Sequence, residues 1–303
     1  MRDNHNIRPV VGLGQASLDF LGRAPYFPEA DTKCELSGLT VQGGGPVATA
    51  LVTLSRLGRP TRMIGAVGDD LFGRLIREGL AAEGVDVSGL LTASGASSQT
   101  AFIAVEPSGA RTIFWLRGPS FDIPGPGVLD QAAALHLDGL PPGPAMKAAR
   151  EARVRGIPVF FDAGALRETS IQLCALTDYL ICSERFFRDF HQGPDLGEGL
   201  QRLHALGPRQ VVATFGAEGS RGYDGVREHF QPAYPVRAVD TTGAGDVYHG
   251  AYIHGVLSGW DLAGCMRFAS AAAALKCEKP GGRTGIPDSA RLREFMGADF
   301  PGD

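Results

Sequence analysis

The chain lacks the marks of a membrane, secreted or nucleic-acid-binding protein. No apolar run approaches the roughly 18 residues of a membrane-spanning helix. The opening residues Met1-Arg2-Asp3-Asn4-His5-Asn6-Ile7-Arg8-Pro9 are polar, without the apolar centre of a secretory signal. Cysteine is sparse and scattered. Cys34, Cys174, Cys182, Cys265 and Cys277 form no Cys-x-x-Cys pair, which excludes a zinc ribbon and a disulfide framework and points to a reducing compartment, so a cytoplasmic location is expected. Neither charge sign dominates: 29 basic residues face 33 acidic ones, giving −4. That balance offers no electrostatic footprint for nucleic acid or a membrane surface. There are no internal repeats and no low-complexity tail. His249 and His254 stand five apart, the wrong spacing for two ligands on one helical face, and His136 has no near neighbour of its type. All three read as helix or pocket-lining residues.

What is present is an ordinary globular composition, 44% hydrophobic and 20% charged, with an excess of glycine at 42 of 303 residues. Glycine at that level suits tight loops and backbone held close to a ligand. Val10–Leu13 reads as a first strand. Gly43-Gly44-Gly45-Pro46 opens a helix whose Val47, Leu51, Leu54 and Leu57 recur at helical spacing until Gly58. Residues 63–68 read as a buried strand and 73–82 as a helix. Residues 98–117 form a hairpin, turning at Pro107-Ser108-Gly109. From about 130 onward strands at 134–137, 158–161, 179–182 and 210–214 alternate with helices at 144–154, 169–175, 183–190 and 196–206. Two final helices follow, at about 247–258 and 261–277. Such alternation predicts an α/β fold with a mostly parallel sheet flanked by helices. Residues 1–13, 42–97 and 119–303 are assigned to that domain. The β-rich excursions 14–41 and 98–118 are assigned to a small lid sheet, which excludes water and holds reactants together.

The stretch Asp240-Thr241-Thr242-Gly243-Ala244-Gly245-Asp246 carries the chemistry. Small residues let backbone N–H groups approach a ligand, and a helix starting there adds its positive end. Asp246 places a carboxylate at the same spot. An anion-binding turn beside a general base suits phosphoryl transfer to a hydroxyl. The stretch is not a Walker loop, having no Gly-Lys-Ser/Thr. It also differs from the dinucleotide fingerprint, with Asp in place of the third glycine. Read alone, Gly243–Asp246 is a glycine-rich loop with a dipole-stabilising Asp.

This heptad resembles the second signature of the ribokinase-like (PfkB) carbohydrate kinases, and Gly43–Ala50 running on through Gly65-Ala66-Val67-Gly68-Asp69-Asp70 resembles the substrate-side Gly-Gly motif of the same family. The resemblance covers nearly the whole chain and implies a three-layer ribokinase-like fold and an ATP-dependent sugar kinase. It makes Asp246 the base on the sugar hydroxyl, with Gly243, Ala244 and Gly245 as the anion hole. It makes Asp19, Gly43, Gly44 and Gly45 the sugar-gripping set. A carboxylate accepting from adjacent hydroxyls is sound polyol recognition. Thr214, Gly216 and Gly219 are placed along the nucleotide, with Ala274 in an adenine slot. Mg²⁺ is expected with the nucleotide, and the family's monovalent cation, K⁺, with the loop of Asp240 and Thr242. A homodimer through the lid is a further expectation.

Departures from the family set the open questions. Gly45 and Ala48 stand where ribokinases have Lys and Asn, which puts ribose in doubt. Ser183 and Phe186 replace the Asn and Glu tied to magnesium and phosphate handling. Ser183 is kept as a nucleotide-side candidate and Glu184 as an outer partner of the ion. Gly43–Ala50 and Phe268–Asp288 are closest to the branch acting on 6-deoxy-6-sulfofructose. Recognition of a sulfonate needs donors such as Arg111 or Arg117, either of which is equally a solvated hairpin residue. Trp115 either stacks on a sugar face or covers the lid. Two alternatives stay open: a nucleoside or vitamin-alcohol kinase, which Asp19 disfavours, and a non-catalytic sensor on the kinase fold.

Overall fold

The computed structural model describes residues 8–107, 111–123, 125 and 127–301. The first seven residues and the Ser108-Gly109 part of the expected hairpin turn lie outside them. Strands β1 (Val10–Leu13), β2 (Ser17–Arg23) and β3 (Gly38–Gly44) lead to helix α1 (Pro46–Arg56). There follow β4 (Thr61–Gly68), α2 (Leu71–Ala82), β5 (Val85–Ala93), β6 (Thr100–Val105) and β7 (Arg111–Leu116). The alternating part comprises β8 (Ala134–Leu137), α3 (Pro142–Val154), β9 (Val159–Ala163), α4 (Glu168–Cys174), β10 (Tyr179–Ser183), α5 (Glu184–Phe190), α6 (Leu196–His204) and β11 (Gln210–Thr214). The chain closes with β12 (Ser220–Tyr223), β13 (Glu228–Gln231), α7 (Ala244–Leu257), α8 (Leu262–Cys277) and α9 (Ser289–Met296).

The large sheet has nine strands in the order β13-β12-β11-β10-β9-β8-β1-β4-β5, parallel except at the β11-β12-β13 edge. Successive strand residues serve opposite faces. Val10, Met63, Phe160, Ile181 and Val212 join one apolar cluster, packed under α1, α7 and α8. Their neighbours Val11, Ile64, Phe161, Cys182 and Val211 join the other, under α3 to α6. A sheet covered on both faces selects continuous apolar strands rather than alternation. The small sheet has the order β3-β2-β6-β7, with β2 parallel to β6.

Several elements differ from the sequence expectation. β5 is unannounced because Ser88-Gly89 interrupts it, yet it pairs with β4 along most of its length. The edge strands β12 and β13 and the helix α9 are likewise absent from the sequence reading. α7 begins at Ala244, so Asp246 lies inside its first turn rather than ahead of it. β3 runs on through Gly43 and Gly44, so these glycines belong to a lid strand, and only Gly45 stands at the opening of α1.

Candidate active site

The start of α7 is built around Gly243, whose φ of 74° is left-handed and whose Cβ, if present, would lie 2.9 Å from the Gly282 carbonyl oxygen. Only glycine meets both demands without strain. The Ala244 N–H donates to the Thr241 carbonyl at 3.2 Å. The amides of Gly245 and Asp246 find no acceptor among the described residues. Of the expected hole of Gly243, Ala244 and Gly245, the Ala244 amide is spent on the turn, while those of Gly243 and Gly245 find no acceptor among the described residues. The loop before it is tied down by Asp240, whose carboxylate accepts from the N–H groups of Thr242 (2.8 Å) and Gly281 (2.7 Å). Burial alone would raise this carboxyl, but those donors and the Lys276 charge outweigh it and hold it below the ordinary value.

The lid supplies Asp19 from β2, which pairs with β3 so that Ser17 faces Gly44 and Leu18 faces Gly43. The Ser17 hydroxyl donates to Asp19 Oδ1 at 2.7 Å. A Cβ on Gly44 would stand 2.0 Å from Asp19 Oδ2, so glycine there is the space the carboxylate occupies. Gly45, at φ 92°, closes over the Gln15 carbonyl and belongs to the wall behind the site.

Arg283 joins these parts, and sequence reasoning assigned it no role. It is buried, with Nη2 donating to the Gly44 carbonyl at 2.8 Å and Nε to Thr49 Oγ1 at 3.3 Å. A Cβ on Gly43 would fall 2.1 Å from its Nη1. Burial pulls its guanidinium down to about 10, against the pull of Asp19, Glu83 and Asp246. Asp246 responds in the opposite direction. Burial, then the Asp19 charge, push its carboxyl up to about 6, with Arg283 opposing. Asp19 is raised by burial, with Ser17 and Arg283 opposing.

Two further carboxylates lie close behind. Asp138, at the end of β8, accepts from the Gln15 backbone N–H (2.9 Å) and the Leu140 N–H (2.9 Å), yet burial pushes it up to about 6. Asp162, at the end of β9, is raised well above the usual range by burial and by its neighbours Asp246 and Asp138. Its Oδ2 lies 3.4 Å from Nδ1 of His249 on α7, and the His249 and His136 rings are 6.0 Å apart. Burial holds His136 down at about 4 and lowers His249 further, so both are neutral. His254 is remote, stacked on Phe268 and tilted against Trp260. Among the described residues no group of His, Cys, Asp and Glu is arranged to hold a metal ion.

On the other side of the Asp240 loop lies a cleft of 470 Å³ lined by Thr214, Gly216, Gly219, Thr241, Gly245 and Ala274, among others. Small residues on α8 leave one wall flat. Ser183 does not line it. Its hydroxyl caps α5, accepting from the Phe186 N–H at 3.1 Å and donating to the Gly164 carbonyl at 2.8 Å. Phe186 is core, and Glu184 pairs with Arg188 at 2.7 Å on the surface. A second cavity, of 280 Å³, sits beyond Asp138, where Gln15, Gln99, Arg117, Phe121 and Leu140 meet. Arg117 lies over the exposed Trp115 ring at 5.0 Å, while Arg111 reaches from β7 to Thr241 Oγ1 at 3.1 Å. Of the two hairpin arginines, Arg111 is the one brought to the anion loop.

Comparison with known proteins agrees with this geometry. A nucleoside kinase of Methanothermobacter thermautotrophicus is 30% identical over 299 residues, covering 93% of each chain. The ribokinase of Bacillus subtilis is 26% identical over 297 residues, covering 96% of this chain and all of its own. A ribokinase-like protein from Agrobacterium tumefaciens superposes with a TM-score of 0.89 at 29% identity, over 95% of this chain and 97% of its own. The Arabidopsis thaliana ribokinase, solved with ribose and ATP, superposes with a TM-score of 0.87 at 24% identity over 96% and 99%, a likeness of fold. The family model described as pfkB family carbohydrate kinase matches residues 8–289, and the chain belongs to that family.

Proposed function

We propose that the protein transfers the γ-phosphoryl group of ATP to a hydroxyl of a sugar or sugar derivative. One observation carries this reading: Gly245, whose amide is free, lines the nucleotide-sized cleft, and the adjacent Asp246 is subject to the charges of Asp19 and Arg283. Asp19 accepts from two adjacent hydroxyls, and Gly44 leaves room for it to do so. Asp246 takes the proton of the attacking hydroxyl; a carboxyl held at about 6 is ionised at neutral pH yet basic enough for the task. The amides at the start of α7 meet the charge that develops on the transferred group. ATP bound in the cleft supplies the phosphoryl group, and Mg²⁺ offsets the charge of its phosphates. No cage of side chains is needed for that ion, which keeps water and phosphate ligands. The altered positions Ser183 and Phe186 are a helix cap and a core residue, so they leave the anion loop intact.

The 280 Å³ cavity favours a second, narrower reading: an acceptor that carries a flat neutral group, as a nucleoside does. Its walls are largely apolar, and it offers the Gln99 carboxamide, which donates to Gln15 Oε1 at 2.9 Å. A nucleoside retains vicinal hydroxyls from which Asp19 can accept, so Asp19, read from the sequence as disfavouring a nucleoside, is compatible with one. A 6-sulfonate on a ketohexose would have Arg117 as the one cation lining this cavity among the described residues. A phosphorylation screen over ketohexoses, pentoses, sulfofructose and nucleosides decides between them. Phosphate transfer to none of these would overturn the kinase reading. On the lid, the exposed side chains of Val41, Phe102 and Phe114 support a homodimer.

A further inference from the structure

The family resemblance places a monovalent cation at the loop of Asp240 and Thr242, and the residues here do not fit one. A cation in such a loop needs several oxygens to replace its hydration shell. The Asp240 carboxylate is committed to two backbone N–H groups, at 2.8 and 2.7 Å. The Asp240 carbonyl accepts from Lys276 Nζ at 2.8 Å. Thr242 Oγ1 is buried without a hydrogen-bond partner, but a lone hydroxyl is no substitute for a coordination shell.

Lys276 is an unusual residue. It lies on the last turn of α8 with no exposed surface. A buried ammonium is costly unless it is paired and hydrogen-bonded. Two features offset the cost here. The C-terminal end of α8 carries partial negative charge. The Asp240 carbonyl points at the ammonium, and Asp240 and Asp246 raise its affinity for the proton against the effect of burial. The loop is also bolted to the same helix end: the N–H groups of Val239 and Asp240 both donate to the Cys277 carbonyl, at 2.8 and 3.1 Å.

From this geometry we infer that the Lys276 ammonium is the built-in cation of the anion loop, and that the protein needs no potassium or other monovalent ion. The role is one of positioning. In a trans peptide the C=O and N–H point in opposite directions. An ammonium that draws the Asp240 carbonyl to one side therefore turns the Thr241 N–H to the other and polarises it as a donor. It also fixes the turn from which α7 departs, and with it the free amides of Gly245 and Asp246. The groups facing Lys276 from the elements around it are Asp240, Asp246, Cys277 and Arg111.

The inference rests on the kinase reading for its activity arm only, so a binding arm is measured beside it. Thermal melting and turnover of the full chain are followed while KCl replaces choline chloride at constant ionic strength. The native protein is expected to show no melting shift specific to potassium and less than a twofold change in turnover. Lys276→Met is expected to lose at least tenfold in turnover in choline, and to regain melting temperature and turnover with K⁺ or NH₄⁺ but not Li⁺. Strong potassium activation of the native protein would overturn the inference. So would a folded Lys276→Met that is fully active without potassium, or one that K⁺ and NH₄⁺ neither stabilise nor restore. If Lys276→Met does not fold, Lys276→Arg takes its place: it keeps the charge and is expected to stay potassium-independent, and potassium dependence in it overturns the inference. An absence of turnover with every sugar and nucleoside condemns the kinase reading instead, and the melting arm still judges Lys276.

Discussion

Arg111 on the lid strand β7 donates from Nη1 to Thr241 Oγ1 at 3.1 Å, joining the lid to the loop that precedes α7. Thr241 also lines the nucleotide-sized cleft, so this contact spans the seam between the two candidate substrates. A guanidinium at that seam meets phosphate charge as well as it meets a hydroxyl. Arg111→Gln is expected to lower kcat roughly tenfold, the scale of one charge-assisted donor. The KM for the sugar should move far less. Thr241→Val should act on the same interaction, so the double variant should fall short of the product of the two effects. Steady-state kinetics on the four proteins test this; fully multiplicative effects would show that the contact is incidental.

Asp246→Asn separates chemistry from folding. Nucleotide binding should persist while turnover falls about 10²–10⁴-fold, the usual worth of a general base. Stability should move the other way. The Asp246 carboxyl is held at about 6 in the folded chain against an ordinary 3.8. Above about pH 6 the folded chain carries a charge at this half-buried, poorly solvated position, which costs stability. Below about pH 4 the group is protonated whether folded or not, and the cost vanishes. Asn should therefore raise the melting temperature at pH 8 and do so progressively less as the pH falls to 4. An equal gain at both pH values would remove Asp246 from the buried pair with Asp19.

The same carboxyl shapes the rate profile. A base must be ionised to accept the hydroxyl proton, so kcat/KM should fall below pH 6, approaching tenfold per pH unit. Because Asp19 raises it and Arg283 lowers it, Asp19→Asn should shift this limb to lower pH and Arg283→Met to higher pH. A limb that stays in place in both variants would mean that another group limits the rate.

Gly43 and Gly44 offer a steric test. A methyl at Gly44 would press on the Asp19 carboxylate at 2.0 Å, and one at Gly43 on Arg283 Nη1 at 2.1 Å. A misplacement of about 1 Å near reacting groups costs on the order of 100-fold. Gly44→Ala should therefore cut kcat/KM for the sugar by that order, with nucleotide affinity held within twofold. Equal losses on both substrates would point to a folding defect instead.

Much of this site was legible in the sequence where its parts are local. Gly243–Asp246 announces a helix start and a carboxylate within four residues, and Gly43-Gly44 announces a close approach to the backbone, which Arg283 and Asp19 make. The wide alternation after residue 130 gives the parallel sheet because each strand is apolar throughout. What escaped is held by partners distant in the chain. Arg283 is 239 residues from the Gly44 carbonyl it binds, and Lys276 is 36 from the Asp240 carbonyl. No periodicity records such pairs. β5 escaped because Ser88-Gly89 breaks its pattern, and its stability comes from the register with β4 rather than from propensity. That the Ala244 amide is already spent escaped because only the folded turn shows it.

The outer face of the lid carries a row that crosses the small sheet. Phe20 pairs in register with Val41 on one side and Phe102 on the other, and Phe102 pairs with Phe114. Val41, Phe102 and Phe114 are 48%, 41% and 58% exposed, whereas Phe20 packs against Phe72 of α2. Residues opposite one another on adjacent strands lie about 5 Å apart, so the row is a continuous apolar strip. Burial of such surface is worth about 25 cal/mol per Å². A second copy of the chain would cover it in the proposed homodimer, since a two-fold axis sets each patch against its own counterpart. That symmetry makes one substitution count twice: Phe114→Glu places two carboxylates in the same apolar seam. Sedimentation equilibrium should show a dimer for the native chain and a monomer for Phe114→Glu, with the melting temperature of the large domain little changed. A native chain that stays monomeric at tens of micromolar, or a variant that stays dimeric, would assign the strip to closure over the site alone.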